Sequence, residues 1–221
     1  MTKKSDTPAI RFKGFNDTWE QRKLGEVLLL LKDGTHGTHQ DVDKGPLLLS
    51  AKNIKSGKIK WDNTDRRISQ SDYEKIHSTF RLQAGDVLLT IVGSIGEVAI
   101  LRDSEGITFQ RSVAFLRPNE EVKSDFLCAE ISSEHFQKEL DNRKSTSAQP
   151  GIYLGDLGEI PFVFPKDISE QNKIGEYFRN LDRLITLHQR KQNNIEKLKS
   201  TCLSADRCLK QAFRCREEKY K

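Results

Sequence analysis

No run of about 18 apolar residues occurs in this chain, so no membrane-spanning helix is expected. The longest early apolar stretch, VLLLL at residues 27–31, lies behind a polar, charged leader and does not have the form of a signal peptide. Cys128, Cys202, Cys208 and Cys215 form no CxxC pair and no disulfide framework, and a reduced, cytoplasmic protein is the expectation. Core formers are lean, at 35% apolar against 31% charged. That balance points to a compact part joined to an extended, solvated part. Enzyme signatures are missing as well: there is no GxxxxGK[ST] phosphate loop, no GxSxG elbow and no HExxH. The fragment GSIGE at residues 93–97 has no following helix that would make it a nucleotide-binding turn.

The net charge of +5 is unevenly placed. From Lys166 onward there are 14 Lys and Arg against 8 Asp and Glu, whereas residues 1–165 carry 23 against 24. Nucleic-acid binding by the main body therefore needs a local patch. Residues 51–67 supply one, with Lys52, Lys55, Lys58, Lys60, Arg66 and Arg67 against Asp62 and Asp65. A solvated hairpin face would have the same composition.

Short apolar runs broken by Gly, Asn and Asp fill residues 19–165. Residues 45–54 read as a strand turning at SGK (56–58), and residues 85–101 as two buried strands joined across 93–96. Residues 107–118 read as one further strand and 159–165 as the last. A capping box at Ser71 and Glu74 opens one helix, and Ser124 opens a single second helix with Leu127, Ile131, Phe136 and Leu140 on its apolar side. The expectation is a mixed α/β (α+β) domain of about 150 residues.

After Pro165 the composition changes. Asp167 and Glu170 form another capping box, and a heptad seam follows with Ile174, Leu181, Ile195 and Leu198 among its apolar positions. The best-patterned part, 169–198, would span roughly 45 Å as a helix. A lone helix with such a stripe is not stable, so a helix of another chain is the favoured partner, with His188 and Lys191 as a polar layer that sets register; the alternative is a helix folded back on its own domain.

Two polar loops are candidate sites. KDGTHGTHQD (32–41) offers Asp33, His36, His39 and Asp41 as metal-ligand types, but Gly34 and Gly37 suggest a flexible loop rather than a rigid cage. Its donors and acceptors suit phosphates and base edges. NRKSTSAQPGIY (142–153) has the same character.

RFKGFNDTWEQRKLGEV (11–27), KDGTH (32–36), GDVLLTIVGSIGEVAI (85–100) and FPKDISEQNKIGEYFRNLDRLITLHQRKQNNIEKLK (164–199) together resemble the specificity subunit of type I restriction–modification systems. The resemblance covers nearly the whole chain in order. It implies a leader (1–18), a target recognition domain (19–165) that reads double-stranded DNA, and a long helix (166–221) forming an antiparallel coiled coil with a partner helix. It also implies a non-catalytic role with no cofactor in this chain. Such a subunit positions modification (methyltransferase) subunits, which use S-adenosylmethionine on adenine, and recruits the restriction subunit, which uses ATP and Mg2+. Absence of a [DN]PP[YF] motif fits recognition rather than modification. Members usually carry two recognition domains and two helices; one of each here suggests a half subunit that pairs as a homodimer, or with another half, over a two-part site. The segment CLKQAF resembles the usual ending, but its flanks differ past Ser200.

The residues chosen for DNA contact are Lys32, Thr35, His36, Thr38, His39 and Gln40; Lys52, Asn53, Lys55, Arg66 and Arg67; and Lys144, Ser145, Thr146, Gln149 and Tyr153. Asn53 and Gln149 are the base readers, since a side-chain amide can pair bidentately with adenine. Ile174, Phe178, Leu181, Leu184, Ile185, Ile195 and Leu198 are chosen for dimerisation. Two rival readings are a scaffold or inhibitor that does not read DNA, and a metal-dependent hydrolase using His36 and His39.

Overall fold

Runs such as VLL (87–89) and VAFL (113–116) are apolar at every position because the sheet they enter is covered on both faces. A computed structural model describes Pro8, residues 10–145, Ala148 and residues 150–217. In chain order the elements are β1 (Glu20–Lys23), β2 (Leu28–Asp33), β3 (Leu47–Leu49), β4 (Ile54–Lys55), β5 (Lys58–Ile59), α1 (Gln70–Ile76), β6 (Val87–Thr90), β7 (Val98–Ile100), β8 (Ile107–Phe109), β9 (Val113–Pro118), α2 (Ser124–Ile131), α3 (Glu134–Asn142), α4 (Leu154–Gly158), β10 (Pro161–Phe164) and α5 (Ile168–Glu217).

The central sheet is antiparallel in the order β2-β9-β6-β7. Successive side chains point to opposite faces. Val87, Leu89, Val98, Ala114 and Leu116 enter one core with α2, α3 and β10. Leu88, Ala99, Val113 and Phe115 enter a second, with β3, β4 and β8. β3 and β8 pair in parallel, and β4 and β5 form a hairpin. β1 and β10 pair beside the first core. The mixed α/β expectation holds, with the long helix after the last strand.

Two buried polar side chains beside the central sheet, Thr90 and Asp86, are matched. The Thr90 hydroxyl donates to the Ser94 carbonyl and accepts from the Glu97 N–H at 2.9 Å, closing the β6–β7 turn. Asp86, 1% exposed, takes Arg117 Nε at 2.7 Å and Nη2 at 2.9 Å.

Several local expectations are corrected. Residues 107–118 are two strands in different sheets, because the backbone of 110–112 bonds to other segments. The strand expected over 45–54 is interrupted by a 3-10 turn at Ala51–Asn53. The cap of α1 is Ser69, whose hydroxyl accepts the Asp72 N–H at 3.0 Å, rather than Ser71. The single helix expected after Ser124 is two, because Ser133 caps α3 by accepting the Phe136 N–H at 3.2 Å.

The start of α5 departs from the capping box in an informative way. Asp167 does cap, accepting the Ser169 N–H at 2.7 Å. Glu170 instead is 1% exposed and receives Arg11 Nε at 2.8 Å and Nη2 at 2.6 Å. Gln171, fully buried, accepts the Lys123 N–H at 2.8 Å and donates to the carbonyls of Glu121 at 2.7 Å and Pro165 at 2.8 Å. One amide thus joins the loop before α2 to the end of β10. A turn later Gly175 lies so close to α2 that a Cβ there would sit 2.7 Å from Asp125 Cβ. Ile174, chosen above for dimerisation, packs against the first core of its own chain.

The chain divides into two compact units, one ending at Phe178 and the other beginning at Arg179. In the second unit the α5 side chains of Leu181, Leu184, Ile185, Ile195 and Leu198 are exposed, Leu184 by 61% and Leu198 by 66%. No helix among the described residues is long and apolar enough to cross a membrane.

Replacing Gln171 with Ala leaves a buried N–H and two carbonyls without partners. We expect a loss of about 2–4 kcal/mol in urea unfolding, with the m-value unchanged. Parental stability would mean that water takes over the clamp.

Candidate nucleic-acid interface

Residues 110–112, the break between β8 and β9, gather main-chain groups from several segments. The Gln110 N–H donates to the Leu49 carbonyl at 2.8 Å, and the Arg111 N–H to the Thr35 carbonyl at 3.1 Å. The Ser112 carbonyl accepts the Ile91 N–H at 2.9 Å, and its hydroxyl accepts the Ala51 N–H at 3.0 Å. Ile91 in turn accepts the Ile152 N–H at 3.0 Å, and Val92 bridges Gly151. The junction therefore holds the start of the histidine loop, the start of the basic segment and the end of the late loop.

In the first loop Gly34 is required by close approach: a Cβ there would lie 2.1 Å from the Phe109 carbonyl oxygen. The loop is thus docked at its root rather than flexible, as its two glycines suggested. Lys32 lies in β2 with its ammonium 4.9 Å from the Phe80 ring centroid, a cation–π contact. His36 Nε2 is 2.6 Å from Asp33 Oδ2, whereas His39 Nε2 is 2.9 Å from Thr35 Oγ1 and its Nδ1 is 3.8 Å from Asp72 Oδ2. The two imidazoles serve different partners, and among the described residues no three ligating side chains gather for a metal ion. Thr38 and Gln40 are exposed.

The basic segment is built round a buried polar knot. Asn53, 4% exposed, accepts the Ser50 N–H at 3.0 Å and donates to the Lys60 carbonyl and to Asp65 Oδ1, both at 2.9 Å. Its amide is used up inside the protein, so Asn53 is corrected from base reader to structural pin. Asp65 also accepts the Asp62 N–H at 2.8 Å and pairs with Lys52 at 2.8 Å. Hydrogen bonds from Asn53 and Lys52 push the Asp65 carboxyl down to about 2. Arg66 ties this segment to the first loop, donating to Asp41 Oδ1 at 2.6 Å and to the His39 carbonyl at 2.7 Å. Arg67 donates to the Gly45 carbonyl at 2.9 Å. Lys55 is exposed on the hairpin, whose Ser56 adopts a left-handed φ of 51° and donates its N–H to Glu97 at 2.8 Å.

In the late loop Lys144 pairs with Asp141, and the Ser145 hydroxyl accepts the Gly151 N–H at 3.0 Å. Tyr153 is 72% exposed. Thr146 and Gln149 lie outside the described residues.

Two exposed side chains were not among the chosen residues. Trp61, 49% exposed, sits between Lys60 and Asp62, whose backbones are held by Asn53 and Asp65. Its place inside the basic run was the available signal. Arg111 is exposed at the junction itself, and its position inside what reads as one strand concealed it.

Because the Asp65 carboxyl titrates lower in the folded chain than at the unfolded value of about 3.9, it stabilises the fold fully above about pH 5. That contribution is lost as pH falls through the folded value of about 2. In urea unfolding across this range, Asp65→Ala should be less stable than the parent at neutral pH, with the gap closing in acid. A gap independent of pH would show that the carboxylate charge is not what holds the knot.

Comparisons with known proteins bear on the family and the fold. A profile of the family described as "Type I restriction modification DNA specificity domain" matches residues 16–197. The type I restriction enzyme MjaVIII specificity subunit of Methanocaldococcus jannaschii is 27% identical over 194 residues, covering 85% of this chain and 45% of that protein. The EcoBI specificity subunit of Escherichia coli is 26% identical over 162 residues, covering 72% and 34%. The chain thus spans less than half the length of these relatives. Among solved structures, the HsdS subunit from Thermoanaerobacter tengcongensis superposes with a TM-score of 0.55 at 18% identity, covering 84% of this chain and 42% of that one. A chain from a study of assembly and conformational transition of the type I R-M system gives 0.58 at 18%, covering 83% and 44%. These structures share the fold, and the match of the profile to 16–197 settles the family: the chain belongs to the type I restriction–modification DNA specificity domains.

Proposed function

We propose that this chain is a non-catalytic specificity component that reads a short sequence in double-stranded DNA and positions adenine methyltransferase and restriction subunits on it. One observation carries the reading: in a member of this family, two polar and basic segments bond to the backbone junction at 110–112, and a third polar loop is tied to it through Ile91. Lysines and arginines of such a surface neutralise phosphates, and exposed amides, hydroxyls and guanidinium groups read base edges. Residues 19–165 act as the target recognition domain. The chain itself holds no cofactor; S-adenosylmethionine belongs to the modification subunit, and ATP with Mg2+ to the restriction subunit.

The exposed stripe on α5 supports pairing. Leu181, Leu184, Ile185, Ile195 and Leu198 repeat at helical spacing, with Phe178 one turn before them, and a single helix gains nothing by presenting them to water. An antiparallel helix from a second copy would cover the stripe, with His188 and Lys191 fixing register. A twofold pair of recognition domains would read a two-part inverted repeat.

Co-expression with the modification subunit, followed by mapping of methylated adenines, tests both parts. We expect a two-part inverted-repeat motif that appears only with this chain. Unlike halves would replace the homodimer with pairing to a different half, and an assembled complex that methylates no defined motif would remove the DNA-reading role. For the pairing, Leu184→Asp should weaken dimerisation by about 100-fold or more, read as a fall to monomer mass in light scattering at micromolar concentration. An intact dimer would place the interface elsewhere.

A further inference from the structure

Every other arginine described between residues 10 and 178 donates to a carboxylate or a main-chain carbonyl of its own chain, as Arg66 does to Asp41 and Arg117 to Asp86. Arg111 is the exception. It is exposed, and its guanidinium has no partner among the described residues. An arginine left unpaired on a surface where the rest are engaged is available to a ligand.

Its backbone is held unusually well for a surface residue. The Arg111 N–H donates to Thr35, the preceding N–H to Leu49, and the following carbonyl accepts from Ile91. The Val113 N–H returns to the Gln110 carbonyl at 3.1 Å, so the turn is closed on itself as well. The anchor of this guanidinium is therefore fixed by three separate stretches of chain. A phosphate contact needs no such precision, since a mobile lysine serves as well. A base contact does, because the planar fork must meet two acceptors on one base edge at once.

We propose that Arg111 is a specificity-determining residue, pairing bidentately with O6 and N7 of a guanine in the major groove of the recognised sequence. The assignment rests on the DNA-reading role proposed above. The neighbouring segments suit the complementary role of holding phosphates. Lys55 is exposed on the hairpin, and Lys52, 64% exposed, lies over the Asp65 knot. These lysines hold backbone while Arg111 reads.

The test uses the complex with the modification subunit and compares parent, Arg111→Ala and Arg111→Gln by methylation mapping. Binding to specific and unrelated duplexes across a salt series completes it. Assembly and thermal unfolding should match the parent, since the guanidinium has no partner among the described residues. For Arg111→Ala we expect one guanine of the motif to become degenerate, with discrimination at that position falling about 10- to 100-fold. Affinity for unrelated DNA and its salt slope should stay as in the parent. Arg111→Gln should move the preference at the same position towards adenine. Retention of the parental motif by both variants overturns the proposal. So does a uniform loss across all sequences with the salt slope reduced by about one, which is the mark of a phosphate contact. A parent complex that assembles but methylates no defined motif would remove the underlying DNA-reading role, and the two failures are thereby told apart.

Discussion

Strands β6 and β9 send alternate side chains into two separate cores, so a polar atom between those cores is costly unless it finds a partner inside the protein. That constraint shapes much of the mixed unit. It accounts for Thr90, whose hydroxyl closes the turn that leaves the sheet, and for Asp86, whose carboxylate is met by Arg117 across the neighbouring strand. It also limits where variable, polar sequence can go. The side chains of His36, Lys55 and Tyr153 lie outside both cores and are exposed.

The root of α5 obeys the same rule. Glu170 and Gln171 are polar residues at the base of a helix, yet both are buried. Arg11 neutralises one, and three main-chain groups satisfy the other. With Gly175 admitting α2 to close contact, the first turns of α5 are part of the mixed unit's packing. This explains why Ile174 keeps heptad spacing and still belongs to the first core.

Much of the fold could be read from periodicity. The two buried strands over 85–101, the hairpin at 56–58, the last strand and the long helix all follow patterns that local sequence enforces. What could not be read was long-range. Residues 107–118 look like one strand because the hydrogen bonds that break them come from Thr35, Leu49, Ala51 and Ile91, far away in sequence. For the site, density of donors pointed to the correct segments but not to the correct atoms. Asn53 has the side chain of a base reader and spends it on Ser50, Lys60 and Asp65. His36 and His39 have the spacing of metal ligands, and their rings turn to Asp33 and Thr35. Arg111 lies within an apparent strand, where a charged residue carries no local sign of lacking a partner among the described residues.

The junction at 110–112 has a consequence for how such a protein changes over time. The bonds that position the loops run mostly between main-chain groups, which every residue except proline supplies in full. Side chains at the loop tips can then be exchanged without loosening the scaffold that presents them. A new preference can arise by a few surface substitutions, each selected for what it meets outside the protein, while the same sheet and the same junction persist beneath.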